Sequence, residues 1–260
     1  MRITILGSGS EGNALLLESG AGAVLVDAGL SFRKLAQRFE AIGRSVPQNV
    51  AAVIVTHSHG DHAKHASTYS TQLGCPIRAA DATMQSIRMR PKARADTFTV
   101  GRSFVVGGIT VYSQSIPHDV PQVALRFETK KSSVGLATDL GKVPKKLCGF
   151  LGDCETLMLE SNHDPGMLAE GPYPAMLKRR VAGAGGHLSN GQAGDVLAGI
   201  AQAPKRVVLM HLSETNNSPR LARSSAEAAL GHRGTELLIA HQRKPLELGP
   251  VHEPQMQLSL

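Results

Sequence analysis

A buried-strand pattern that ends in a cluster of metal-binding side chains constrains this chain more than any other feature. The apolar, β-branched run Val53–Val55 leads through Thr56 into H-S-H-G-D-H, which spans His57 to His62. A turn that buried so many imidazoles at the end of a strand without partners for them would be costly. The pattern therefore predicts a metal site at the carboxyl end of this strand.

The spacing within H-x-H-x-D-H indicates two ions rather than one. His57 and His59 can reach one ion from an extended turn, while Asp61 and His62 can face a second ion beside it. A single ion would leave some of these ligands unused. We therefore expect two divalent ions per chain, zinc or manganese, since both accept histidine and aspartate ligands.

Two short echoes suggest how the rest of the chain is organised. V-L-V-D-A-G at Val24–Gly29 is repeated as G-L-A-T-D-L-G at Gly135–Gly141, and V-I-V-T-H at Val53–His57 as V-V-L-M-H at Val207–His211. We interpret residues 1–260 as one domain of two related halves, about 1–128 and 129–245, with a C-terminal tail; chance similarity is the alternative. Polar ends of buried strands would meet along one edge of two packed sheets. The expected fold is α/β, a four-layer αββα sandwich of two mixed sheets flanked by helices.

Apolar periodicity, caps and turn residues predict the individual elements. The predicted strands are Arg2–Leu6, Ala14–Glu18, Ala23–Val26, Val50–Val55, Thr97–Val100, Ile109–Ser115, Val123–Glu128, Ser133–Ala137, Thr156–Leu159, Arg206–Met210 and Glu236–Ala240. The predicted helices are one capped by Ser31 and ended by Gly43, one after His62, and those at Asp81–Met89, Pro174–Ala182, Asn190–Ala201 and Pro219–Leu230. The tail after Lys244 is expected to wrap around the domain or to fray.

The charge of the chain favours a polyanionic partner. Its 260 residues carry a formal net charge of +7, although the basic residues fall in separate clusters near 88–94, 142–146 and 178–180. Tryptophan is absent and tyrosine occurs three times, so a stacking platform for bases is not expected. A nucleic-acid partner would be held mainly by its phosphates.

The apolar segments and the cysteines indicate the compartment. No apolar run approaches the roughly 20 residues that a membrane span requires, and the first strand is too short for a signal peptide. The odd number of cysteines, Cys75, Cys148 and Cys154, argues against a disulfide framework and favours buried thiols. We expect a cytoplasmic protein with no membrane partner.

The histidine motif and the residues that follow it resemble the metallo-β-lactamase superfamily over nearly the whole chain. The superfamily carries H-x-H-x-D-H after a strand, a later third histidine, a bridging aspartate and a final histidine. The resemblance implies metal ligands at His57, His59, His118, Asp61, His62, Asp139 and His211, with Asp139 as the bridge. It also implies that Asp27, the early aspartate, orients the histidine loop.

Segments of the second half are similar to one branch of this superfamily. T-L-M-L-E-S-N-H-D at Thr156–Asp164, G-G-H-L-S-N at Gly185–Asn190 and H-L-S-E-T-N-N-S-P at His211–Pro219 resemble the YycJ/WalJ branch of bacterial nucleases, as does G-S-G-S-E-G-N at Gly7–Asn13. His187 matches a histidine that the tRNA-processing endonucleases of the superfamily place before the final ligand.

The resemblance implies a nuclease acting on DNA, here expected to be a 5′-to-3′ exonuclease. In the implied mechanism a hydroxide bridging the two ions attacks phosphorus. Asp61 orients this nucleophile and His187 protonates the departing 3′ oxygen.

Other activities of the superfamily remain as alternatives. Asp139 stands where some β-lactamases have a cysteine ligand, and His59 stands where di-iron flavoproteins usually have glutamate, which disfavours both classes. The main alternative is a small-molecule phosphodiesterase acting on cyclic nucleotides or ribose phosphates. A thioester or lactone hydrolase and a non-catalytic, metal-stabilised nucleic-acid binder are further alternatives.

A last group of polar residues comprises candidates for substrate binding or for positioning, most of which also have a structural interpretation. Ser8, Ser10 and Asn13 could bind a phosphate, but a glycine-rich hairpin needs the same residues for its turn. Asn190 is a further candidate for substrate binding. His163 could orient Asp139, touch the substrate or be structural.

Overall fold

The computed structural model describes residues 1–250. The strands are β1 Arg2–Gly7, β2 Ala14–Glu18, β3 Ala23–Val26, β4 Val50–Ile54, β5 Pro76–Ala80, β6 Arg94–Phe98, β7 Phe104–Val106, β8 Ile109–Ile116, β9 Gln122–Thr129, β10 Ser132–Ala137, β11 Thr156–Glu160, β12 Arg206–Met210, β13 Glu236–Ile239 and β14 Leu246–Leu248. The helices are α1 Phe32–Glu40, α2 Gly60–Ala63, α3 Ala66–Leu73, α4 Asp81–Ser86, α5 Leu147–Leu151, α6 Pro165–Glu170, α7 Ala175–Ala182, α8 Asn190–Gly199 and α9 Pro219–Leu230.

The strands form two sheets of seven with matching topology. Their orders are β14-β1-β2-β3-β4-β5-β6 and β13-β12-β11-β10-β9-β8-β7. Strands β3 to β6 are parallel in the first sheet and β10 to β13 in the second, whereas the remaining neighbours are antiparallel. Because parallel strands end at the same edge, each sheet presents several loops to one side of the molecule.

Three apolar layers hold the elements together. One cluster lies between the sheets and includes Ile5 and Val26 from the first and Phe127 and Met158 from the second. A second cluster packs α1 and α3 on the outer face of the first sheet, and a third packs α8 and α9 on the outer face of the second. The predicted αββα sandwich of two mixed sheets is confirmed.

Most predicted elements are confirmed within a few residues, the predicted cap Ser31 is confirmed, and Ser189 is a further cap. Ser31 accepts a hydrogen bond from the Lys34 amide, and Ser189 forms a reciprocal capping box with Gln192. The strand predicted at Thr97–Val100 instead occupies Arg94–Phe98. Strands β5, β7 and β14 and helices α5 and α6 were not predicted, because they are short or begin with proline.

The boundary between the two sheets lies earlier than the predicted division near residue 128. The chain enters the second sheet between Phe98 and Phe104, because β7, β8 and β9 form an antiparallel meander that pairs with β10. Asp27 and Asp139 follow β3 and β10, which hold equivalent places in the two sheet orders. His57 and His211 follow β4 and β12, which hold different places in the two sheet orders. The similarity between V-I-V-T-H and V-V-L-M-H is therefore not a topological match.

At least part of the C-terminal tail packs against the domain. Its residues Leu246–Leu248 form β14, which pairs antiparallel with β1. Residues 251–260, including His252, lie outside the described residues. Over residues 1–250, none of the helices combines the length and the apolar character that crossing a bilayer would demand.

The three cysteines are free thiols within the described part of the chain. Cys75 and Cys154 are buried, as predicted, whereas Cys148 is only partly buried. Burial raises the pKa of the Cys75 thiol to about 11 and that of Cys154 to about 12. Neither buried thiol is therefore ionised near neutral pH.

The packing between the sheets predicts a large effect of one substitution. Phe127 is fully buried in the central cluster, so F127A would leave a cavity that its neighbours fill only in part. We expect F127A to lower the free energy of unfolding by about 3–5 kcal/mol, measured by urea denaturation. V105A, at a side chain that is 67% exposed, is the control and should change this free energy by less than about 0.5 kcal/mol. Similar small effects of both substitutions would contradict the packing.

Candidate metal centre and active site

The predicted metal ligands meet at the carboxyl edge of the two sheets. One potential ligand atom from each of His57, His59 and His118 lies within 4.8 Å of the others, and the same holds for the second group, Asp61, His62, Asp139 and His211. The first group comes from the loops after β4 and β8, and the second from α2 and the loops after β10 and β12. The fold thus brings together all seven side chains that the sequence assigned to two ions.

The three rings of the first group turn one nitrogen toward each other. His118 Nε2 lies 3.2 Å from His59 Nδ1, and His57 Nε2 is buried with no hydrogen-bond partner in the described part of the chain. The opposite nitrogen of each ring is held by the protein. The contacts are His57 Nδ1 with Thr56 Oγ1 at 3.1 Å, His59 Nε2 with Asp119 Oδ1 at 3.1 Å, and His118 Nδ1 with Gly186 O at 3.2 Å. These contacts leave the inner nitrogens as lone-pair donors.

The histidines of the second group are held in the same way. His62 Nδ1 lies 2.7 Å from Asp27 Oδ2, and His211 Nδ1 lies 3.2 Å from Glu160 Oε1 and 3.1 Å from Asp139 Oδ1. A carboxylate can only accept, so each Nδ1 donates. His62 Nε2 then faces Asp139 Oδ2 at 3.0 Å, the Asn13 amide nitrogen at 2.8 Å and Asp61 Oδ2 at 3.6 Å. The distance from His211 Nε2 to Asp61 Oδ2 is 3.4 Å.

Asp27 fixes the histidine loop by several contacts at once. Its Oδ1 accepts hydrogen bonds from the Thr56 amide at 2.9 Å and the Thr56 hydroxyl at 3.0 Å, while Oδ2 holds His62. Because the same hydroxyl contacts His57, one buried carboxylate orients a histidine of each ligand group.

Left-handed backbone conformations place three of the strand-end residues. Asp27 has φ 61°, Asp139 has φ 58° and His211 has φ 55°. Non-glycine residues adopt this region at a cost, and such residues concentrate at functional sites. Each of the three residues lies just after its strand ends, where its side chain reaches the groups of the site.

Two glycines allow the loops of the site to pack closely. A Cβ atom on Gly29 would collide with the Asp61 carbonyl, and one on Gly141 would collide with the backbone of the segment 183–186 that precedes His187. Each glycine stands two residues after Asp27 or Asp139. The repeated Asp-x-Gly sequence therefore serves the same packing purpose on each sheet.

Glu160 is a site residue that the sequence did not identify as functional. It ends β11, is fully buried, and its Oε1 lies 2.7 Å from His187 Nδ1 and 3.2 Å from His211 Nδ1. Its Oε2 accepts hydrogen bonds from the amides of Leu140 and Leu188, both at 3.0 Å. A carboxylate at the end of an apolar strand is a detectable signal, since a buried charge needs a partner.

His187 stands beside both ligand groups. Its ring centroid lies 5.8 Å from that of His118 and 5.3 Å from that of His211. Its Nδ1 is held by Glu160, and its side chain is 24% exposed. The ring therefore has one fixed nitrogen and one that remains available to a bound molecule.

Burial and charge shift the pKa values of these groups in opposite directions. Burial drives the pKa of His57 far below its ordinary value, so this ring is neutral. Burial also lowers the pKa of His211 and His187, but Asp139 and Glu160 outweigh it and raise both. The pKa values of Asp139 and Glu160 fall, because the neighbouring histidines outweigh the effect of burial.

These residues suit a divalent metal ion because of their ligand types and because several of their buried polar atoms lack hydrogen bonds. Among residues 1–250, His57 Nε2 and His211 Nε2 are buried without a partner of hydrogen-bond geometry, and Asp139 Oδ2 faces His62 Nε2 at 3.0 Å without such geometry. Each unsatisfied group of this kind costs about 1–3 kcal/mol, which coordination would offset. Imidazole nitrogens and carboxylate oxygens suit zinc and manganese.

Three of the residues predicted to bind substrate, Ser8, Asn13 and Asn190, are buried and bonded within the protein, which favours a structural role for them. The Ser8 hydroxyl accepts from the His211 amide at 2.8 Å. The Asn13 amide lies 2.8 Å from His62 Nε2 and bonds the Gly9 backbone. Asn190 bonds Ser161 and Asn217. Burial made these polar groups positioning residues for the loops, and only Ser10 is exposed.

His163 does not orient Asp139 by a hydrogen bond. Its Nδ1 is buried without a partner, and its backbone carbonyl accepts from the Asn190 amide at 2.8 Å. Burial lowers the pKa of this histidine, so it is neutral. Of its three interpretations, the contacts favour a structural residue.

A cleft of about 260 Å³ opens beside the ligand groups. Its lining includes His118, Asp119, Asn162, His187, Ser213 and Asn216 from the sheet edge, Ser10, and Tyr173, Leu177 and Arg180 from the region of α7. Asp119 connects the two sides, because it contacts His59 and also accepts from Arg180 Nη2 at 2.7 Å.

Sequence comparison relates the chain to named proteins. A family model described as a β-lactamase superfamily domain matches residues 23–212. The chain is 31% identical over 244 residues to the exodeoxyribonuclease WalJ of Streptococcus pneumoniae, covering 88% of this chain and 90% of that protein. It is also 31% identical over 240 residues to the exodeoxyribonuclease YycJ of Bacillus anthracis, covering 90% of each.

Structural comparison agrees on the fold. The metallo-β-lactamase fold protein YhfI of Bacillus subtilis superimposes with a TM-score of 0.73 at 20% identity, covering 95% of this chain and 98% of the other. The zinc-bound PqqB of Methylobacterium extorquens gives a TM-score of 0.72 at 18% identity, covering 95% and 100%. At this identity the likeness concerns the fold alone.

The contacts of Glu160 predict that it supports metal binding. In E160Q the amide nitrogen would face either the Leu140 and Leu188 amides or the two histidines, so one set of hydrogen bonds is lost. We expect the affinity for divalent metal to fall about 10–100-fold, measured by competition with a chelating dye. E155Q is the control, because Glu155 lies just before the other end of β11 and pairs with Lys205. Unchanged affinity in E160Q would contradict this role.

Proposed function

Because this chain belongs to the metallo-β-lactamase superfamily and is a metal-dependent hydrolase, we propose that it is an exonuclease that shortens DNA from its 5′ end. The observation that carries the proposal is His187, which stands next to both ligand groups with one nitrogen held by Glu160. The names of the relatives WalJ and YycJ, both exodeoxyribonucleases, support DNA as the substrate.

Two divalent ions are proposed for the two ligand groups. His57, His59 and His118 would hold one ion, and Asp61, His62 and His211 the other, with Asp139 between them. Ions held there would lower the pKa of a water molecule and neutralise charge on the scissile phosphate. Asp61 is partly exposed and is proposed to accept a hydrogen bond from the attacking water.

His187 is proposed to protonate the departing 3′ oxygen. Since its Nδ1 donates to Glu160, Nε2 is the position that delivers the proton. The Glu160 carboxylate raises the pKa of this imidazole against the effect of burial, which favours the protonated ring that a general acid requires. General acids of this kind typically contribute about 10²–10⁴-fold in rate.

One observation favours the alternative of a small-molecule phosphodiesterase. The cleft beside His187 has a volume of about 260 Å³, which suits a compact ligand such as a cyclic nucleotide. The same metal ligands and the same proton donor would serve this reaction. The two functions differ in the length of substrate that they require.

A DNA substrate with protected ends tests the function and its direction. We expect linear DNA to be degraded to mononucleotides with zinc or manganese, and phosphorothioate linkages at the 5′ end to block the reaction. The same linkages at the 3′ end, as control, should not block it. Release of products is measured on end-labelled oligonucleotides. Cleavage of circular single strands would contradict an exonuclease, and efficient hydrolysis of cyclic nucleotides without cleavage of DNA would favour the alternative.

Substitution of His187 separates proton transfer from metal binding. H187A should retain two divalent ions per chain by elemental analysis, yet cleave DNA about 10²–10⁴-fold more slowly. A nitrophenyl phosphodiester needs little protonation of its leaving group, so its hydrolysis should fall much less. H232A, at an exposed histidine outside the site, is the control. Equal losses on the two substrates would remove His187 from the acid role.

A further inference from the structure

We propose that the cleft beside His187 is the subsite for the 5′-terminal nucleotide of the DNA strand, with Arg180 binding its 5′-phosphate. This inference rests on the proposed function and adds the residues that recognise the end of the strand. The cleft is built from the sheet edge on one side, with His187, Ser213 and Asn216, and from the α7 region on the other, with Tyr173 and Arg180.

The chemistry of the reaction decides which nucleotide lies in this cleft. Hydrolysis breaks the bond between phosphorus and the 3′ oxygen, and that oxygen takes a proton and stays with the nucleotide on the 5′ side. Water supplies the new oxygen on phosphorus, so the shortened strand keeps a 5′-phosphate. Because His187 is the assigned proton donor and lines the cleft, the nucleotide beside it is the one that is released.

The rest of the DNA strand, on the 3′ side of the scissile bond, can occupy a different cleft. A second cleft of about 270 Å³ lies on the Asp61 side of the ligand groups and includes Lys34, Lys64 and Ser10 in its lining. Ser10 also lines the first cleft, so the two clefts meet at this exposed residue. Lysines in the second cleft suit the phosphates of a continuing strand.

Arg180 is placed to recognise a terminal phosphate. It lies on α7, a helix with no buried residue, and its side chain is 63% exposed. Asp119 Oδ2 accepts from Nε at 3.2 Å and Nη2 at 2.7 Å, while Nη1 has no partner among residues 1–250. A guanidinium group anchored on one edge presents its free edge in a fixed direction, which suits a phosphate.

The side chain of Asn216 is a buried polar group at the cleft. The residue is 1% exposed and lines the cleft, and neither its Oδ1 nor its Nδ2 has a hydrogen-bond partner within the described residues 1–250. Gly171 packs so closely over Oδ1 that a Cβ atom there would collide with it. An amide with an unused donor and acceptor at the base of a cleft indicates a place for a polar ligand.

The size of the cleft favours release of single nucleotides. Its volume of about 260 Å³ lies just below the roughly 300–1,000 Å³ typical of small-ligand sites. It therefore accepts about one nucleotide, whose base can stack on the partly exposed Tyr173 ring. A strand that continued past this nucleotide would meet α7.

The test compares two adjacent arginines of the same helix in the metal-loaded enzyme. Arg179 and Arg180 are both exposed and carry the same charge, but only Arg180 is among the residues that line the cleft. Binding of thymidine 5′-monophosphate and of thymidine is measured by calorimetry, and cleavage rates are compared on DNA with 5′-phosphate and 5′-hydroxyl ends. Metal content is checked in each variant because Asp119 links Arg180 to His59.

We expect the wild-type enzyme to bind the monophosphate about tenfold or more tightly than thymidine, and to prefer 5′-phosphorylated ends. R180Q should lose both preferences, R180K should restore them in part, and R179Q should keep them. Y173L should weaken thymidine and its monophosphate alike, since stacking does not involve the phosphate.

Two kinds of failure are distinguishable. If the wild-type enzyme cleaves no DNA, the proposed function is wrong, whatever the nucleotide binding shows. If it degrades DNA from the 5′ end but R180Q keeps both preferences, or R179Q loses them equally, only the subsite is wrong. Metal content that falls in R180Q together with both preferences, without rescue in R180K, would also overturn the assignment of the phosphate contact.

Discussion

The site depends on the fixed orientation of six imidazole rings by groups at their outer nitrogens. Thr56, Asp119, Asp27, the Gly186 carbonyl and Glu160 hold the nitrogens that point away from the centre. A neutral imidazole offers one lone pair, so fixing a donor on one side decides what the other side can bind. This constraint gives the histidines the orientations that the two proposed groups of metal ligands and the proposed proton donor require.

The two sheets contribute to this arrangement through the same local device. In each, the strand in the equivalent place ends in an aspartate with left-handed backbone, followed two residues later by a glycine. Asp27 orients the histidine loop while Gly29 admits the Asp61 backbone. Asp139 enters the metal group while Gly141 admits the segment before His187. The same Asp-x-Gly geometry thus supports loop positioning at Asp27 and a proposed ligand at Asp139.

Two carboxylates couple functions that would otherwise be separate. Glu160 contacts both His187 and His211, so it links the proposed proton donor to a proposed metal ligand. Asp119 touches His59 on one side and Arg180 on the other, which ties the wall of the cleft to the first ligand group. Contacts of this kind explain why single substitutions in such sites change several properties at once.

The sequence by itself predicted the αββα fold, because strand periods are local properties, and the spacing of H-x-H-x-D-H indicated a metal site after β4. The resemblance to the superfamily added the remaining proposed ligands and indicated Asp27 as a positioning residue. Only the tertiary structure decided that Glu160 joins two histidines from distant loops, and that Ser8, Asn13 and Asn190 are buried. The same holds for Asp119, which meets His59 and Arg180 across long separations in the chain. Burial and long-range contacts depend on how the edges of the two sheets pack against each other, and no local sequence pattern encodes this packing.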